Sequence, residues 1–300
     1  MANRKLLTTN EGQSTGAFGL VEWSLFVFIS VTWGATFLFI DVALESLEPG
    51  VIATMRVGLG ALTLWLLPLP RSRIDREDWP RVLVLAVIWL AIPMTLFPVA
   101  QQWINSSVTG MLNGFVPSLT ALLASALLRR TPGVPQLIGI GVGFVGVALI
   151  SAPSITDGDT GWMGVAAVLA AAVLYAFSAN MVAPLQQKYG SIPVVSRVLA
   201  ASVPLTLPYA AIGVGESSLT WEVVAAMLAL GVLGTGFAFV AYGTLIGRAG
   251  ATRATGVTYI IPVVAVYLGV QFRGDSVAAL AYIGCALVVL GTAFVSRQGR

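Results

Sequence analysis

Apolar residues run along this chain in long blocks, and the polar residues are gathered into short gaps between them. Each block is close to the roughly 20 residues a helix needs to cross a hydrocarbon core. Ten such blocks follow one another, at approximately 22–44, 50–69, 80–101, 106–128, 134–152, 162–186, 192–213, 221–246, 251–272 and 277–295. The gaps at 49–50, 71–80, 131–135, 157–161 and 213–220 carry the Pro, Gly and charged residues expected of connections. The pattern predicts an all-α integral membrane protein with ten transmembrane helices.

Composition leads to the same class. The chain is 57% hydrophobic and 10% charged, whereas soluble domains average about a quarter charged. A soluble fold of this length could not bury so much apolar surface, because the buried fraction is limited by surface-to-volume scaling. The first twenty residues carry Arg4, Lys5 and Glu11 without an apolar core, so they do not read as a cleavable signal peptide.

Charge then orients the bundle. Cytoplasmic loops retain Lys and Arg. With the N-terminus inside, Arg4, Lys5, Arg71, Arg73, Arg76, Arg81, Arg129, Arg130, Lys188, Arg197, Arg248, Arg253, Arg297 and Arg300 fall inside, which is 14 of the 16 basic residues. Arg273 falls outside and Arg56 lies within the second helix, while Glu45, Glu48, Asp157, Asp159, Glu216, Glu222 and Asp275 collect outside. Both termini are thus expected on the cytoplasmic face of a cytoplasmic (inner) membrane.

Ten spans with both ends on one side divide into five plus five, and duplicating an odd number of spans gives halves of opposite orientation. Laying 106–150 over 251–295 aligns Pro117 with Pro262, Gly139 with Gly284, Gly146 with Gly291 and Ala148 with Ala293. The domain reading is a cytoplasmic tail at 1–21, a first five-helix repeat at 22–152, and a second, inverted repeat at 153–300 ending in a short cytoplasmic tail.

The chain has no histidine and one cysteine, Cys285. That removes zinc sites, His-activated nucleophiles, imidazole relays and internal disulfides. No Walker phosphate loop is present, and the glycine pattern at Gly141, Gly143 and Gly146 lies inside a span with no preceding strand, so it is not a nucleotide fingerprint. No cofactor, metal or nucleic-acid partner is expected. The partners are a small-molecule substrate and the lipid bilayer. The sequence leaves the oligomeric state open and is compatible with a monomer.

Pro117 and Pro262 interrupt the fourth and ninth helices near the midplane, where an opened backbone must face protein or a wet cavity; interrupted helices at matching places in two halves point to a transporter's central site. Polar and aromatic residues in the spans are expected to face the interior and line a substrate pocket, with Gln101, Trp103, Asn113, Tyr175, Asn180, Tyr242 and Tyr259 as the candidates. The ordinary alternative for such residues is interhelical hydrogen bonding, or an interfacial belt for Trp23, Trp79, Trp162 and Trp221. Asp41 and Arg56 are opposite charges at similar depth on adjacent helices, read as a structural ion pair clasping the first hairpin. With no other acid deep in a span, no proton-coupling group is visible.

Trp33 and Gly34 in the first helix, Arg56 early in the second, and two copies of a mid-span proline followed twenty-two residues later by glycine together resemble the EamA-type branch of the drug/metabolite transporter superfamily. The resemblance covers about 22–295. It departs where the family usually has a Gly-Glu pair after the fourth and ninth helices, for here those places hold Arg129 and Arg130, and Gly274 and Asp275. Within the branch, the aromatic-rich third helix with Gln101 and Trp103 is similar to the YddG-type amino-acid exporters. That implies two inverted five-helix halves around a central cavity and export of aromatic and other neutral amino acids by alternating access without ATP. The alternatives are a multidrug or nucleotide-sugar transporter of the same superfamily, and a non-transporting membrane receptor or assembly factor. An enzyme is not expected.

Overall fold

A computed structural model describes residues 18–68, 72–127, 132–156, 160–249 and 254–296. The expectations for most of the N-terminal tail and for Arg71, Arg129, Arg130, Asp157, Asp159, Arg253, Arg297 and Arg300 lie outside the described residues.

Among the described residues there are helices and no strands. Ten helical rods follow the ten apolar blocks: α1 (Leu20–Ala43), α2 (Pro49–Leu66), α3 (Arg76–Ala100), α4 (Ser106–Leu127), α5 (Val134–Ile155), α6 (Gly161–Tyr189), α7 (Ser191–Glu216), α8 (Trp221–Ile246), α9 (Val257–Arg273) and α10 (Ala279–Val295). The first eight are long and apolar enough to cross a membrane. The last two, at about 1.5 Å rise per residue, reach about 25 Å and stand at the short end of the spanning range.

Helix boundaries follow from local chemistry. Pro49 opens α2, in the first turn where its missing N–H costs nothing. Asn105 caps α4 by accepting the Val108 amide at 2.9 Å, and Thr220 caps α8 by accepting that of Val223 at 3.3 Å. Gly190 alone joins α6 to α7 at φ 86°, a left-handed turn that a β-carbon would strain. Outward faces carry Val27, Val31, Leu62, Ile138, Phe144, Ile283 and Leu290, all exposed, as lipid contact requires. Trp23, Trp79, Trp162 and Trp221 are exposed at helix ends, where an interfacial belt belongs.

Glycines set the closest helix approach. A β-carbon on Gly146 would lie 2.6 Å from the Gly284 carbonyl oxygen, and one on Gly284 would lie 2.6 Å from the Gly146 oxygen; Gly139 and Gly291 face each other in the same way. The α5 positions rise as their α10 partners fall, so the two helices run antiparallel, backbone on backbone.

The prolines behave differently from expectation. The fourth rod breaks at Gly114 and Phe115, between helical pieces Ser106–Asn113 and Val116–Leu127, so Pro117 occupies the first turn of the second piece. Proline is well tolerated there and does not itself make the break. Pro262 lies inside the continuous piece Val257–Leu268. Pro262 packs at the crossing of α4 and α9, where the missing side chain of Gly114 leaves room for its ring.

Two mid-rod irregularities were not anticipated. α3 is π-helical over Ala86–Ala91 and α8 over Ala229–Phe237, and α9 also ends in a π-helical stretch at Gly269–Arg273. Such widened turns misalign carbonyls and often mark functional places. Side-chain hydroxyls recover them: Ser202 donates to the Ala86 oxygen at 3.1 Å and Thr235 to the Leu230 oxygen at 3.0 Å.

Candidate functional site: a central cavity open at the basic end

Between the rods lies a cavity of about 830 Å³. Its deep wall holds Trp33, Thr36 and Phe37 of α1, Arg56 of α2, Trp89 and Phe97 of α3, Asn113 of α4, Tyr175 and Asn180 of α6, and Phe239 and Tyr242 of α8. It continues to Leu127, Gln187, Gly190 and Ile246, at the bundle end that carries Arg73, Arg76, Arg81, Lys188 and Arg248. Leu127, Gln187 and Gly190 are exposed, so the cavity opens at this basic end.

The opposite, acidic end is tied shut across helices. Arg273 of α9 pairs with Asp41 and Glu45. Asp275 accepts hydrogen bonds from the Ser106 hydroxyl at 2.8 Å, the Ser107 amide at 2.9 Å and the Ser107 hydroxyl at 2.6 Å. This anion sits on the N-terminus of α4, where the helix dipole favours it. Gly274, at φ 66°, turns the chain out of α9 so that Asp275 can reach. The glycine and acid that stood where a Gly-Glu pair was expected thus form a cap between helices. The Glu48 amide donates to Ser217 Oγ at 3.0 Å, and Asn105 Nδ2 to the Ser276 oxygen at 3.1 Å.

Two aromatic groups build the wall. Trp33 contacts Tyr242 and Phe239 with ring centroids 5.0 and 5.8 Å apart, and Phe239 meets Trp89 at 5.4 Å. Phe97 bridges Phe37 at 5.6 Å and Tyr175 at 5.8 Å. The π-helical turns aim this set: Trp89 projects from one, and in the other the Gly234 oxygen accepts the Trp33 indole N–H at 3.1 Å while Thr235 accepts from Arg56 Nε at 3.2 Å.

Of the seven residues expected to line the cavity, Asn113, Tyr175, Asn180 and Tyr242 stand on its wall. Asn180 also donates to the Thr120 oxygen at 3.2 Å. Three lie elsewhere. Gln101 and Trp103 follow the end of α3 at the closed acidic end; Gln101 is buried there, and Trp103 is 38% exposed. Tyr259 turns towards α10 and donates to the Thr292 oxygen at 3.3 Å. The clasp expected between Asp41 and Arg56 is corrected as well. Asp41 pairs with Arg273 because α1 packs on α9, while Arg56 points from α2 towards α8 and the cavity. Among the wall residues that sequence reasoning passed over are Trp33, Trp89, Phe239 and Arg56. Trp33 and Arg56 had stood out by position, and the isolation of Arg56 from any acid on its own rod was the signal that could have placed it.

A polytopic helical bundle enclosing a drug-sized chamber that opens at one end has the architecture of a small-molecule carrier. The chain belongs to the EamA-like transporter family, whose pattern matches twice, over residues 22–152 and 162–297. Similar proteins include an uncharacterized transporter of Archaeoglobus fulgidus, 23% identical over 92% of this chain and 99% of the relative. A probable terminal-alkyne amino-acid exporter of Streptantibioticus cattleyicolor is 24% identical over 92% of this chain and 93% of the relative. The uncharacterized inner membrane transporter YedA of Escherichia coli is 24% identical over 89% and 87%. A solved crystal structure of a protein 19% identical in sequence superposes with a TM-score of 0.63 over 91% of this chain and 95% of the other, which speaks for the fold.

Proposed function

We propose that the chain is a secondary exporter of small neutral or zwitterionic metabolites, amino acids including aromatic ones foremost, working by alternating access without ATP. The observation that carries this reading is the chamber itself: about 830 Å³, walled by aromatic rings and a few amides, open at one end and latched at the other. It is large enough for an amino acid, and no Asp, Glu, Lys or His lines it among the described residues. Its wall offers hydrogen bonds and ring contacts rather than a reacting group. A deep carboxylate for a lipophilic cation is missing from the same wall, which argues against the multidrug alternative. The exporter relative from Streptantibioticus adds weight to the amino-acid class.

The gathering of basic side chains at the open end supports a cytoplasmic opening, with both termini inside an inner membrane. The antiparallel, reciprocal contacts of Gly139 with Gly291 and Gly146 with Gly284, together with the matched π-helical turns, support two inverted five-helix halves. A twofold axis that exchanges two antiparallel helices must lie perpendicular to them, hence in the membrane plane. Rocking of the halves would swing about the α4 and α9 crossing at Gly114 and Pro262.

The test is uptake of labelled threonine, methionine and phenylalanine into liposomes holding the purified protein, with and without a proton gradient. Saturable flux without the gradient is expected. Absence of flux for every amino acid refutes the reading.

A further inference from the structure

Arg56 is 6% exposed and stands on the cavity wall. Its Nε is fixed by Thr235 at 3.2 Å, and the single Thr235 hydroxyl hydrogen is already directed to the Leu230 oxygen. Its Nη1 is buried without a hydrogen-bond partner among the described residues. The nearest expected counterion, Asp41, is held by Arg273 at the far end of the bundle. Arg56 is also the only charged residue among the described residues that line the cavity.

A guanidinium does not give up its proton in proteins, and an unpaired charge this deep is strongly disfavoured. Such an arrangement persists where something that comes and goes supplies the missing anion. Thr235 locks one edge of the planar fork and leaves the other presented, which is the geometry that grips a carboxylate. Asn113 Oδ1, on the same wall, is a buried acceptor without a partner among the described residues. The cavity thus offers one cationic donor, a buried neutral acceptor in Asn113 Oδ1 and a set of aromatic rings.

We infer that Arg56 is the carboxylate-recognition residue of this carrier, and that its substrate is a small organic monoacid with an apolar side arm. The carboxylate meets the free Nη1, an α-amino group finds Asn113 Oδ1, and the side arm lies against Trp33, Phe239 and Tyr242. A pyrophosphate-bearing substrate would need several cations where this wall has one. The inference deepens the transport reading and rests on it for the word carrier, but the binding chemistry can fail or stand separately.

The experiment uses the purified full-length protein and four probes of one shape: phenylalanine, 3-phenylpropionate, phenylalaninamide and phenethylamine. Thermal unfolding is followed against probe concentration for wild type, R56K and R56Q, and the same probes compete in the liposome assay. The two acids are expected to raise the unfolding midpoint, and the amide and amine to leave it unchanged. R56Q should weaken apparent affinity for the acids by about 10- to 100-fold, the loss of a charge-assisted hydrogen bond, and R56K should retain part of it. Without any probe, R56Q should unfold no lower than wild type, because a buried unpaired charge has gone; a purely structural arginine would do the opposite.

Equal stabilisation of wild type by amide and acid, no stabilisation by either acid, or acid affinity in R56Q within twofold of wild type each overturns the inference. If R56Q does not fold, the acid-against-amide comparison in wild type and the R56K affinity decide. Acid binding without amino-acid flux leaves Arg56 standing and removes the amino-acid reading; amino-acid flux with equal amide flux does the reverse.

Discussion

Arg273→Gln should unlatch the acidic end. Arg273 is the cation shared by Asp41 and Glu45, so the substitution removes both pairs that tie α9 to α1. The three side chains are 28%, 22% and 49% exposed, and partly exposed pairs contribute about 0.2–1 kcal/mol each. Two pairs, with Asp41 left half-buried and unmatched, give about 1–2 kcal/mol, or roughly a 5- to 30-fold shift towards forms open at that end. The other ties, through Asp275, Ser217 and Ser276, remain, so the bundle is biased rather than released. To read the shift, a cysteine replaces Ala179 on the cavity wall in a Cys285→Ala background, and a membrane-impermeant thiol reagent is applied from the acidic side of oriented liposomes. The labelling rate should rise by the same 5- to 30-fold in Arg273→Gln. The gap should narrow in high salt, which screens the wild-type pairs. A rate within twofold of the parent would refute the latch, as would a rise from the basic side alone.

Gly146→Ala should lower the unfolding midpoint by an amount corresponding to about 1–3 kcal/mol of overpacking, since its β-carbon would stand 2.6 Å from the Gly284 oxygen. Gly141→Ala, which meets nothing within 4 Å, should be neutral or slightly stabilising by the same calorimetric measure. Asp275→Ala leaves the buried Ser106 and Ser107 donors without their acceptor, at about 1–3 kcal/mol per unmet group; thermal unfolding and faster hydrogen exchange at the start of α4 report it. Outside the membrane, the hydrogen bonds from Lys188 and then Tyr189 hold the Asp75 carboxyl below its ordinary value. The tether from the α2–α3 connection to α6 is therefore complete above an unfolded Asp pKa of about 3.9 and is lost as pH falls through the lower folded value. Asp78 accepts from the same Lys188 and Tyr189 and is held low for the same reason. Hydrogen exchange over 72–78 should therefore show the step, Asp75→Asn should reduce it, and Asp75→Asn with Asp78→Asn should abolish it; an unchanged step in the double variant would assign it to another group.

The rods were legible because lipid demands length and apolarity together, and each block supplied both. The cavity was legible in part. Asn113, Tyr175, Asn180 and Tyr242 are polar or amphipathic side chains deep in apolar rods, and solvation alone drives them inward. Gln101 and Trp103 were misplaced because they follow directly on the last turn of α3, which ends at Ala100, and depth along a rod is lost at its ends. Asp41 and Arg56 were matched by depth on neighbouring rods, but partners are chosen by which rods touch; α1 meets α9, and Asp41 finds Arg273, 232 residues away along the chain, which no local pattern carries. The π-helical turns at Ala86–Ala91 and Ala229–Phe237 left no mark in sequence, because widening a turn by one residue needs no special side chain. Their effect, turning Trp89 to the cavity and Thr235 to Arg56, was invisible for the same reason.

On the proposed reading of two inverted halves, the reciprocal glycines of α5 and α10 bear on how freely those halves can diverge. In an assembly of two identical halves, a bulkier residue at the Gly139 position would enter both seams at once. Joined in one chain, Gly139 and its counterpart Gly284 are encoded separately and sit in different seams, the first against Gly291 and the second against Gly146. Either seam can therefore be altered while the other still holds the backbones together. A fused transporter can in this way grow asymmetric around its substrate one contact at a time, without passing through a form in which the whole antiparallel pair is forced apart.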